Sequence, residues 1–172
     1  MCDNEIVMPL LLDMKIFFGI LIILSGLTNL EAQSNLIGTF PFEAQAGANF
    51  AKIIFETRAF DGSHHRIGVR RGSTTVDGRS VFGAIDGYAP QVEIASMKLY
   101  LNGREIHVPK RVYDDCYQPN LKAPYITIRF GARSEIVVVA MHGADGAAGY
   151  EVTWHFTNTG RASRSIHNVF PE

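Results

Sequence analysis

The chain has 172 residues, of which 47% are hydrophobic, with 11 Phe, 16 Gly and 7 Pro. That is enough apolar chain for one domain with its own core, and it excludes a disordered polypeptide. A formal net charge of −1 supplies no general attraction for a polyanion, so no nucleic-acid partner is expected.

The N-terminal stretch reads as a targeting segment. Met14-Lys15 precedes the apolar run Ile16–Leu27, and Leu30-Glu31-Ala32 offers a cleavage site with small Ala32 last. A basic start, about a dozen apolar residues and a small residue at the cut make a signal peptide. A spanning helix needs roughly 20 apolar residues, and this run stops at Thr28-Asn29. Residues 1–32 are therefore expected to be a signal peptide, and residues 33–172 one periplasmic or secreted domain. Membrane attachment follows only if the segment is retained. Asp3, Glu5 and Asp13 give the first residues the wrong charge for a signal, so Met14 is the expected true start. Loss of residues 1–32 removes Lys15, Asp3, Glu5, Asp13 and Glu31, leaving fifteen basic and thirteen acidic residues, net +2. A single cysteine, Cys116, remains. It can form no internal disulfide, and a buried thiol is the expected state.

Beyond residue 35 the punctuation is that of hairpins. Asp61-Gly62, Asp77-Gly78, Asp86-Gly87, Asn102-Gly103 and Asp145-Gly146 are pairs that tolerate the positive φ of tight turns. Phe42 to Ala48 has no assignable pattern. Phe50 to Phe60 fits a helical face or a strand, and the Asp61-Gly62 pair favours a hairpin with Arg66 to Arg70. Thr74 to Val76 and Arg79 to Phe82 form a short hairpin around Asp77-Gly78. Gln91 to Leu101 and Arg104 to Val108 pair around Asn102-Gly103, with Leu101 opposite Arg104, Leu99 opposite Ile106 and Met97 opposite Val108. Lys110 to Tyr117 suits one helical turn between Pro109 and Pro119.

Tyr125 to Phe130 alternates, with Ile126, Ile128 and Phe130 inward. After a turn at Gly131 to Ser134, Ile136-Val137-Val138-Val139 is apolar on both pleat faces, as in a central strand. Val152, Trp154 and Phe156 point inward on the next strand, followed by a three-residue loop, Asn158-Thr159-Gly160. Arg161 to Val169 is polar on both faces and reads as an edge strand, with Glu151 opposite His167. The expected fold is all-β, an antiparallel β-sandwich, with a partly open β-barrel as the alternative.

Three constellations are candidates for chemistry. Gly143, Gly146 and Gly149 recur in a loop between two strands, with His142 before it, Asp145 at its tip and Tyr150 at its base. A phosphate loop would lead into a helix and carry a Lys-Ser/Thr pair. Here a strand follows, so the functional reading is a recognition loop, and the bland one a mobile connection. Tyr113-Asp114-Asp115-Cys116-Tyr117 places two carboxylates among tyrosines, a candidate for a cation or a sugar. Adjacent side chains rarely converge, and helix capping is the plain alternative. The six histidines show no His-x-x-x-His spacing, so no metal or other cofactor is expected.

Gly146-Ala147-Ala148-Gly149-Tyr150 resembles the Ser-Gly-x-x-Tyr loop that periplasmic lysozyme inhibitors insert into an enzyme cleft. It lacks the serine, and its Gly-to-Tyr spacing differs. The resemblance implies a small exported β protein that acts by loop insertion.

The expected function is that of a non-enzymatic exported domain binding a partner protein or envelope component through the 143–150 loop. Its expected contacts are His142, Asp145, Gly146, Gly149 and Tyr150, with Tyr113 and Asp114 beside them. The alternative is a hydrolase or carbohydrate-active domain using Asp145 with Asp114 or His142, which would require those side chains to converge in a pocket.

Overall fold

The computed structural model describes residues 36–85, 87–132 and 136–169. The signal segment, Asp86 and part of the Gly131 to Ser134 turn lie outside the described residues. The fold is all-β, consistent with a sandwich and not closed into a barrel. The strands are β1 (Gly38–Ala46), β2 (Asn49–Ala59), β3 (Ile67–Arg70), β4 (Ser73–Val76), β5 (Arg79–Ser80), β6 (Val92–Leu101), β7 (Arg104–Ile106), β8 (Ile126–Phe130), β9 (Ile136–Gly143), β10 (Tyr150–Thr157) and β11 (Ala162–Asn168). One antiparallel sheet runs β1-β2-β6-β7 and a second β11-β10-β9-β8; β3-β4-β5 form a small third sheet.

Alternation places one face of each large sheet in a common core. Ala51, Ile53 and Phe55 of β2 meet Val137, Val139, Val152, Trp154 and Phe156 of the second sheet. The Phe55 and Trp154 ring centres are 6.0 Å apart. Burial of each of the valine, isoleucine and phenylalanine side chains stabilises the fold by about 1.5–3 kcal/mol. In β6 the buried positions change parity, from Val92 and Ile94 to Met97, Leu99 and Leu101. A bulge explains this: Glu56 pairs with Ser96 and Thr57 with Ile94, so Ala95 has no partner across the ladder.

The Asp77-Gly78 and Asn102-Gly103 hairpins form as the sequence indicates. All four of these residues have φ between 52° and 79°, the backbone of a type I′ turn. Leu101 pairs with Arg104 and Leu99 with Ile106. The ladder stops there, so Met97 and Val108, both buried, do not pair with each other as expected. Strand β9 is central, and β11 is an edge whose His167 does face Glu151 of β10.

The hairpin expected around Asp61-Gly62 does not form. The unassigned Phe42 to Ala48 stretch belongs mostly to edge strand β1, which pairs with β2 around a turn at Gly47. Pro41 sits in that edge, where a missing N–H is tolerated. Strand β2 therefore lies between β1 and β6 and forms no hairpin with β3, whose partner is β4. Asp61-Gly62 is not a hairpin turn. Asp61 accepts a hydrogen bond from the Ser63 amide at 3.0 Å and caps a short 3₁₀ turn, Gly62–His64.

Candidate functional site

The β9–β10 connection is held firmly at both feet. The Ala144 amide donates to the Gln118 carbonyl at 2.7 Å, and Pro119 bridges Gly143. At the other foot the Val169 amide donates to the Gly149 carbonyl at 2.9 Å. Gly146–Ala148 form a 3₁₀ turn closed by the Gly149 amide on the Gly146 carbonyl at 2.9 Å. Asp145-Gly146 thus opens a short helical turn and is not the centre of a hairpin. Glycine is required at Gly143, where a Cβ would lie 2.2 Å from the Tyr150 ring. It is favoured at Gly146, where φ is +60°.

Tyr150 is the pin on which this foot turns. It is fully buried, and its hydroxyl donates to the Tyr117 carbonyl at 2.9 Å. Burial pushes its phenol well above the ordinary range. The side chain therefore offers no surface to a partner, which corrects its reading as an interface anchor and departs from the loop-insertion resemblance. Gly149 is buried as well. Asp145, Gly146 and Ala147 are exposed, with Ala144 and Ala148 half-buried beside them. The Asp145 carboxylate makes no capping bond.

His142 lies on the outer face of the second sheet, in a row across three strands. Its Nε2 is 3.1 Å from Oε1 of Glu151, and Oε2 of Glu151 is 3.1 Å from Nε2 of His167. The Tyr125 ring meets His142 edge-on at 6.4 Å. A carboxylate placed between two imidazoles joins β9, β10 and β11 on their solvent side. Among the described residues no group of three His, Cys, Asp or Glu side chains has a geometry that could hold a metal ion.

The 113–117 segment is structural. Tyr113 is buried, and desolvation raises its phenol. The two carboxylates part company: Asp114 takes both guanidinium nitrogens of Arg79, at 3.1 and 3.0 Å, while buried Asp115 takes Arg164. Each carboxylate thus serves a different guanidinium, and the two do not converge on one site. Cys116 is a buried free thiol, pushed up by burial. Tyr117 is raised to about 12, mainly by burial. The hydrolase alternative asked for Asp145 to work with Asp114 or His142, yet Asp114 is held by Arg79 and His142 by Glu151.

An open groove of ≈ 720 Å³, unmarked by any motif in the sequence, lies at the opposite end of β10. It is lined by Arg111, His155, Arg161 and Ser163 among others, and by none of His142, Asp145 or Asp114. Alternation along β10 and the Asn158–Gly160 loop foretell that His155, Arg161 and Ser163 share a face. Nothing in the sequence brings Arg111 to them across fifty residues. Searches of the protein-family models, the curated proteins and the solved structures give no match to this chain.

Proposed function

We propose that this chain is an exported, non-enzymatic binding domain that meets a partner protein or cell-envelope component with the tip of the β9–β10 connection. The observation that carries this reading is the contrast between the fixed feet of the loop and its exposed tip. A loop already ordered on a rigid scaffold loses little conformational freedom on binding. Small side chains at Ala144, Ala147 and Ala148 let a partner surface approach the backbone closely, and Asp145 supplies the one charge at the tip. His142 flanks the tip and Gly146 shapes it; Tyr150 acts beneath it by holding Gly143.

Affinity capture from the envelope and extracellular fractions tests this, using the wild-type chain beside an Asp145→Lys/Ala147→Glu variant. Both substitutions are at exposed positions, so folding is retained. The partner recovered by the wild type is lost with the variant. Equal recovery by both would sink the reading.

A further inference from the structure

We propose that the groove at the β10–β11 hairpin is a second binding site, which takes an oxyanion carried on a small neutral body. Register places its walls. Ile136 pairs with Thr157 and His155 with Ser163, so these side chains share the outer face of the second sheet. The Thr157 amide donates to the Arg161 carbonyl at 2.9 Å, which brings Arg161 in beside Thr157. From the far side come Pro109 and Arg111, in the segment that follows β7.

That far wall is fixed. The Val112 carbonyl accepts from Trp154 Nε1 at 2.7 Å and from Arg164 Nη1 at 3.1 Å, so the backbone next to Arg111 is tied to β10 and β11. Arg104 donates to the Asn158 carbonyl and holds the hairpin loop. The backbone of both walls is thus fixed before any ligand arrives, and only the exposed side chains of Arg111 and Arg161 remain to be ordered on binding.

The chemistry of the lining is one-sided. Arg111 and Arg161 face the groove with His155 and the Ser163 hydroxyl, and no described lining residue is acidic. Among the described residues neither guanidinium has a carboxylate partner, whereas Arg58, Arg79 and Arg164 each do. Arginine pairs with phosphate, sulfate and carboxylate through parallel N–H bonds. Ile136 and Pro109 supply apolar surface for the rest of the ligand. A volume of ≈ 720 Å³ lies in the range of small-ligand sites and suits a metabolite or a short sugar. Seven residue steps of β10 separate this site from the 143–149 loop, about 23 Å. The groove is therefore a site separate from the loop tip.

Calorimetric and NMR titrations with inorganic phosphate, a monosulfated disaccharide and monomeric galacturonate test it. The three ligands share the oxyanion and differ in its source, so the tightest of them names the source. At least one is expected to bind saturably at millimolar concentration or below, shifting the Gly160 and Ser163 amides. Arg111→Gln and Arg161→Gln are each expected to weaken it about tenfold, and the pair to abolish it. The Asp145→Lys/Ala147→Glu variant is expected to bind as the wild type does. No saturable binding of any ligand by the wild type overturns the proposal. So does binding by the folded Arg111→Gln/Arg161→Gln variant within about twofold of wild type.

Discussion

Arg164 on edge strand β11 turns inward and grips Asp115, with Nη2 2.6 Å from Oδ2 and Nη1 2.5 Å from Oδ1. The same guanidinium also donates to the Val112 carbonyl. A charge aimed inward from an edge strand has two effects: it closes that end of the sheet, and it discourages pairing with another chain. The hydrogen bond to Asp115 holds Arg164 above its ordinary range, with desolvation opposing.

Removing one partner of this pair leaves the other with no counter-charge in a nearly buried place. Asp115→Ala and Arg164→Ala are each expected to destabilise the fold by about 2–4 kcal/mol. The double variant should lose less than the sum of the two. Urea unfolding monitored by Trp154 fluorescence measures all three.

Gly143 and Tyr150 form the second relationship with a measurable consequence. Gly143→Ala places a methyl group inside the Tyr150 ring and is expected to destabilise by about 3 kcal/mol or more. Tyr150→Phe keeps the ring and loses only the bond to the Tyr117 carbonyl, an expected loss of about 1–2 kcal/mol. Thermal unfolding of the two variants separates steric fit from the hydrogen bond.

Asp77 gives the domain an acid limb. Its carboxyl lies below the ordinary 3.8, first because the Arg66 amide donates to it and then because of His65. A depressed carboxyl contributes stability above the unfolded pKa and loses it as pH falls through the folded one. The contribution is therefore complete above about pH 4–5 and fades at lower pH. Asp77→Asn keeps a residue that accepts the positive φ of 53°, so the turn survives and the acid limb flattens. Unfolding midpoints between pH 2 and pH 6, roughly the carboxylate range, check this.

The proposed export leads to a prediction of its own. Intact mass of the mature chain, purified from an extracytoplasmic fraction, is expected to show an N-terminus at Gln33, after Leu30-Glu31-Ala32. A chain that keeps Ile16–Leu27 and sediments with membranes would contradict cleavage.

Much of the fold was legible because its signals are local. Asn102-Gly103 and Asp77-Gly78 fix turn geometry within two residues, and alternation in β8 and β10 fixes which side chains enter the core. Strand β1 was not legible: its half-buried edge position needs only a weak pattern, and its partner choice is set by packing. The partner of β2 was misread for a related reason. Asp61-Gly62 carries the same dipeptide as a hairpin turn, but Ser63 gives Asp61 an amide to cap. For the candidate site, the exposed tip could be placed from sequence, while the burial of Tyr150 could not. An aromatic after a glycine loop reads as an anchor until Gly143 is seen beneath its ring.

The most direct test of the account is site-specific photo-crosslinking in cells that produce the chain. One variant carries the photoreactive residue in place of Ala147 at the loop tip, and a control carries it in place of exposed Glu105 on β7. A discrete adduct is expected from position 147 that position 105 does not give. No adduct at 147, or the same adduct from both positions, would contradict it.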